Sequence, residues 1–203
     1  MSETFSEKDL EPSADDIRRA RSSIIDRVAA TVGILAAGLV VGGMVALGAC
    51  AAPAVFALAP APFSGNAMGA AFARFDKLAI AASCVALGAE VVRTYLTRRE
   101  RPRISARLRR LAAIGLAGAA TYMGMSISPT INDLHAVGAR RGEGELGAQL
   151  EATHKKAEML GRIEVVLGVA LIALHIFTLR DWTREDPEDE EDAPAPLPPG
   201  PRD

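Results

Sequence analysis

The stretch ALGACAAPAVFALAPAPF, residues 46–63, holds three prolines and no charge, and it closes a longer run without parallel in the chain. From Val28 to Ala73 the only ionisable side chain is the thiol of Cys50. A helix needs about 20 apolar residues to cross a hydrocarbon core of about 30 Å. Val28 to Ala52 alone supplies 25. Pro53 then falls where such a span should end, because proline lacks an N–H and clashes with the preceding turn. The apolar residues after it are expected to lie at the membrane interface or to fold back on the protein, since lipid does not tolerate bare irregular backbone.

The rest of the chain reads outward from that span. Leu111 to Ile131 is a second clean segment of 21 residues. Leu78–Ala89 and Val165–Leu179 are charge-free for 12 and 15 residues, and reach membrane length if their flanking charges snorkel. Spans are therefore expected near 27–52, 72–97, 110–132 and 157–181. The fold class is all-α: an integral membrane four-helix bundle, residues 22–182. The ends differ from the middle. Residues 1–21 are mostly polar, and 183–203 are acidic and proline-rich, so both are expected to be disordered tails. No cleavable leader is evident, and the first span reads as a retained anchor.

Basic residues set the orientation. The link RRERPRISARLRR, 98–110, carries seven arginines and one acid. Arg18, Arg19, Arg21 and Arg27 precede the first span, and Arg180 and Arg184 follow the last. Both termini and the arginine link are expected in the cytoplasm of a bacterium, with the protein in its inner membrane. That link lacks interleaved aromatics, so it signals topology and anionic-lipid contact, not nucleic-acid binding.

Two features repeat. Pro129 closes the third span as Pro53 closes the first, and each is followed by a small polar connection and a weaker span. The pattern admits two helical hairpins, 27–97 and 110–181, related by an axis along the membrane normal. Small residues four apart, Gly38 with Gly42 and Gly115 with Ala119, let backbones approach in lipid. They make spans one and three the expected close-packed pair, or else a dimer surface.

The segments APAVFAL, GAAFARF, ISPTINDL and LEATHKKAEMLGRIEVVLGVALI resemble a domain-of-unknown-function family of small four-span proteins, the one that includes the transmembrane-protein-205-like proteins. The matching positions are Pro53 with Phe56, Pro129, and His154. The resemblance spans roughly residues 28–180 and implies a four-span fold in a membrane. It implies no biochemical activity.

Charges near membrane depth are the candidates for chemistry. Glu90 and Arg93 can form an ion pair along one helix. Alternatively Glu90 meets His175 at matching height and serves an ion or proton pathway with Arg93 nearby. His154 with Asp133, and His135 beside them, is a candidate outer-face site. Asp76 and Lys77 are expected to reach headgroups. Cys50, Cys84 and the methionines read as packing residues, and no metal or cofactor is expected. No phosphate loop or nucleophile triad occurs. The expectation is a non-enzymatic membrane protein, an accessory or scaffold subunit acting by helix association with a second copy or other membrane proteins. The alternative is a small transporter or ion-handling protein using Glu90 and His175.

Overall fold

The computed structural model describes residues 13–60, 63–98 and 104–179. These residues are helical almost throughout and contain no strand. The helices are α1 (Ala14–Val45), α2 (Ala52–Leu58), α3 (Phe63–Leu96), α4 (Ile104–Tyr122), α5 (Ser128–Ala136) and α6 (Gly144–Phe177). α1 runs into α2 through a π-helical segment, Ala46–Ala51, and α4 runs into α5 through another, Met123–Ile127. The result is four long rods. α1 packs on α3 and α6, and α4 packs on the same two helices, so the rods close a ring with α1 and α4 diagonal.

Three of the rods are long and apolar enough to cross a membrane: Ala20–Leu58, Ile104–Ala136 and Gly144–Phe177. α3 has the length, at 34 residues, but Arg74, Asp76, Lys77, Glu90 and Arg93 punctuate it. The packing is that of a membrane protein. The core is alanine-rich, with Ala37, Ala86 and Ala113 fully enclosed around Val40, Leu116 and Leu171. Large apolar side chains such as Leu35, Leu111, Ile114 and Val166 point outward. In lipid there is no hydrophobic force between helices, so small residues that admit close approach belong inside.

Several expectations are corrected here. Pro53 and Pro129 do not terminate their helices. Each is the second residue after a π-helical segment, and the wider i→i+5 turn removes the demand for an N–H at the proline. The stop comes at Ala59, which is extended ahead of Pro60, as the residue before a proline prefers. The two devices match in sequence: Gly48 stands five residues before Pro53, and Gly124 five before Pro129. This G-x-x-x-x-P echo strengthens the case for related halves. α1 begins at Ala14, so 14–21 is helix and not tail. Residues 1–12 and 180–203, which include most of both expected tails, lie outside the described residues.

The close-packed pair is also corrected. Gly38 and Gly42 have open space where a Cβ would stand, and Gly115 packs on Leu167 of α6. Ala119 is buried in α4, on the ring side and not against α1. The glycines that admit neighbours are others. Gly43 faces the Phe75 ring of α3, Gly161 receives Met44, and Gly168 receives Val41. Cys50 and Cys84 are free thiols on the exposed surface, not between helices. Met125 likewise points outward, whereas Met68 and Met123 are buried.

Candidate functional site

The stripe of α6 that faces the core is Gly161, Glu164, Gly168, Leu171 and His175, residues three or four apart. The matching stripe of α3 includes Asp76, Ala79, Ser83, Ala86, Glu90 and Arg93. Helical periodicity therefore points both ends of each stripe, not only its apolar middle, into the ring. Polar side chains gather at two levels.

The first level lies at the arginine-rich end. Arg93 donates from Nε to Asp26 Oδ1 at 2.8 Å and from Nη2 to Asp26 Oδ2 at 3.0 Å, a bidentate pair between α3 and α1. Such a fork satisfies both carboxylate oxygens at once. The same guanidinium donates from Nη1 to His175 Nδ1 at 2.9 Å and to Thr178 Oγ1 at 3.3 Å, and from Nη2 to the Thr178 carbonyl at 3.1 Å. Arginine can only donate, so His175 accepts at Nδ1 and carries its proton on Nε2. Arg109 of α4 bonds Glu90 and the Thr178 hydroxyl. Thr94 donates to Glu90 Oε1 at 3.4 Å, and Arg110 lies 3.9 Å from that oxygen.

Asp26, Glu90, Arg93, Arg109 and His175 are all buried, His175 completely. Asp26 pairs with Arg93 and Glu90 with Arg109, and the half-buried Arg110 adds a third cation 3.9 Å from Glu90. The level also completes α6. Thr178 follows the last helical residue, and the two arginines bring positive charge and donors to a C-terminus rich in bare carbonyls. Every one of the four rods contributes. Gly33 makes the fit possible: a Cβ there would lie 2.5 Å from His175 Nε2.

Glu90 and His175 are thus brought into one network but not into contact. Arg93, Arg109 and Thr178 stand between them. The Glu90–Arg93 pair along α3 is replaced: each takes a partner from another rod. The sequence reading missed Asp26, Arg109 and Thr178. Asp26 lies just ahead of the first expected span, 27–52, and Arg109 within the arginine link, 98–110. A cleft of about 170 Å³ between α3 and α4, lined by Leu87, Glu90, Val91, Thr94, Arg110 and Ile114, opens beside Glu90.

The second level lies toward the prolines. Asp76 is buried beside Gly124, against expectation, because α3 starts at Phe63 and carries Asp76 into the ring. Glu164 is buried on α6. Beyond this level the His135 and His154 rings meet edge to face with centroids 5.9 Å apart. Asp133 is exposed and does not join them. Among the described residues no three His, Cys, Asp or Glu side chains gather as a metal would need.

Long apolar rods around a small-residue core with enclosed charge define a helical membrane protein. The family described as Domain of unknown function (DUF4149) matches residues 35–140, more than half of the chain, and the chain belongs to that family. The match includes Asp76, Glu90, Arg93 and Arg109 and stops before α6. No curated protein matches the chain, and no solved structure does.

Proposed function

We propose that the protein is a non-enzymatic accessory or scaffold subunit that acts by lateral helix association, with a second copy of itself or with other membrane proteins. The observation that carries this reading is the outward-facing Gly38–Gly42 pair on α1, whose Cβ positions are open. A small-xxx-small groove with no neighbour inside its own bundle offers backbone-close docking to another helix. The distribution of Arg and Lys supports an inner bacterial membrane with both termini in the cytoplasm, the arginine-rich end facing inward. The motif resemblance to the transmembrane-protein-205-like proteins supports the same class of small membrane protein.

Energy transfer between donor- and acceptor-labelled copies in lipid vesicles tests the association. Gly38→Leu and Gly42→Leu fill the groove without touching the fold. Association is expected to fall in both variants with Tm unchanged; association that persists in both removes the reading. A C-terminal reporter that matures only in the cytoplasm tests the orientation.

The alternative reading is ion handling through Glu90 and His175. Their burial and their common network favour it. The interlocking ion pairs of that network favour a structural clasp instead, with only His175 Nε2 and Arg110 Nε buried without a partner there. Glu90→Gln separates the two: a clasp residue lowers stability, while a pathway residue abolishes flux in vesicles with the fold intact.

A further inference from the structure

The second polar level is built unlike the first. Asp76 is 6 % exposed and Glu164 is 1 % exposed, and Asp76 Oδ2 and Glu164 Oε1 are buried without a hydrogen-bond partner. Their positions follow from the packing. Phe75 faces Gly43 of α1, and Asp76 Cβ lies 3.1 Å from the place a side chain would occupy at Gly124, so α3 presents Asp76 at the level of Gly43 and Gly124. On α6, Gly161 receives Met44 and Gly168 receives Val41, so Glu164, between them on the same stripe, stands at the level of α1 residues 41–44. The two carboxyls share one layer and are close enough for their charges to act on each other.

Among the described residues nothing in that layer neutralises them. α1 and α2 face it with Val41, Gly43 and Met44 and bring no titratable group. The segment at Met123–Ile127 brings Gly124, and the Ser128 side chain lies beside Asp76. On the carboxyls' own helices Arg74, Lys77, Glu158 and Arg162 are exposed on other faces, and neither carboxyl forms an ion pair among the described residues. Pro129 leaves the π turn one N–H short. Ser128 N–H bonds Met123 O across the π turn, and the next carbonyl, Gly124 O, would pair with residue 129, which has no N–H to give. Gly124 is also the residue against which Asp76 packs.

Two carboxylates cannot both keep their charge in an enclosed, largely apolar layer without a counter-charge. We propose that Asp76 and Glu164, with the Ser128 hydroxyl and the Gly124 carbonyl, form a binding site for one small hard cation, a proton or Na⁺. The donors are oxygens only, which suits such an ion and not a soft metal. Among the described residues no third carboxylate joins them to suit a multivalent one. The site is separate from the arginine level. Glu164 and His175 are eleven residues apart on α6, about 16 Å of helix rise. The inference stands apart from the association reading, and a failed association experiment leaves it untouched.

The test uses the full chain, purified and folded, with Na⁺ replaced by choline. Thermal unfolding is followed across pH, with and without added NaCl, for the wild type, Asp76→Asn, Glu164→Gln and the control Asp133→Asn. Deprotonation leaves two facing charges, so wild-type Tm is expected to fall as pH rises. If the occupant is Na⁺, added NaCl restores several degrees saturably at high pH, where choline chloride does not. If it is a proton, NaCl has no such effect. In either case both site variants lose the response and Asp133→Asn keeps it. Infrared spectra of the wild type give a second readout: a protonated-carboxyl band that withdraws as pH rises, and that NaCl withdraws at fixed pH when sodium binds. Glu164→Asp keeps the acid and shifts that band, which covers the case of a Gln variant that does not fold. A pH and salt response identical in wild type and both site variants, or a wild type in Na⁺-free buffer with no protonated-carboxyl band above about pH 6, where ordinary carboxyls are ionised, overturns the proposal.

Discussion

The two polar levels of this bundle hold the same kinds of residue and treat them in opposite ways. At the arginine-rich end two acids are ion-paired with two arginines, Thr178 and His175 accept from them, and the bare atoms are nitrogens, His175 Nε2 and Arg110 Nε. At the proline end two acids share a layer with a bare oxygen apiece. The difference lies in what each helix end can deliver. α4 starts in an arginine-rich stretch, and its first turns carry Arg109 into the ring. The other level is reached by mid-helix residues, where a long cationic side chain has no interface to enter from. Enclosed charge can thus serve either as a fastening or as a receptor, and the counter-charge built beside it decides which.

The comparison breaks hardest at Arg93. Arg93→Met strips Asp26, His175 and Thr178 of a shared donor and leaves a buried carboxylate alone. Loss of one partner of a buried pair costs about 3–5 kcal/mol. Equilibrium unfolding in a denaturing detergent should show a loss of that size, and Asp26→Asn placed on top should return part of it. If the double variant is no better than the single one, Asp26 is not held by Arg93.

A packing change tests whether the layers are fixed in register. Gly43→Val drives a side chain into the Phe75 ring, which sits beside Asp76. Overfilling of this kind costs about 1–3 kcal/mol. The expected Tm loss should be relieved by Phe75→Leu, and failure of that rescue would detach Phe75 from Gly43.

The third expectation has the opposite sign. Glu164→Gln removes a buried carboxyl that forms no ion pair among the described residues, so in Na⁺-free buffer at neutral pH it should leave stability level or raise it by about 1 kcal/mol. Glu90→Gln, the same chemical change at the paired level, should lower it. A matching loss at both positions would mean that the two levels do not differ. Smallest is Gly42→Ala, where open space should keep the effect within about 0.5 kcal/mol.

The rods were largely legible in the sequence because apolar length reads directly: each expected span overlaps one long helix, and three of the four rods are long and apolar enough to cross a membrane. The ends were not. Proline was read as a stop at Pro53 and Pro129, whereas one extra residue per turn before each lets the helix run on. That is a backbone event with no residue of its own to announce it beyond the G-x-x-x-x-P spacing. Glu90, Arg93 and His175 were picked out for their depth. Asp26 and Arg109 were missed because helix starts were placed too late, which turned enclosed residues into tail and link. Glu164 lies at the edge of the charge-free run Val165–Leu179. Its spacing from Gly161, Gly168 and His175 was the signal that it faces inward.

The continuity of α1 with α2 has a consequence for the surrounding lipid. The rod Ala20–Leu58 has 39 residues, about 58 Å at helical rise, against a hydrocarbon thickness of about 30 Å. Even at a tilt of about 40°, the upper end of what membrane helices show, about a dozen residues stay outside the core. Ala20–Arg27 is polar enough to be those on one side. On the other, Phe56 and Leu58 stand exposed, joined by Phe63 at the start of α3. This apolar collar is hydrophobic mismatch built into the chain, and a thicker bilayer covers more of it. Reconstitution in lipids of increasing acyl-chain length is therefore expected to raise stability stepwise until the collar is submerged, which would make membrane thickness itself a condition of where this protein resides.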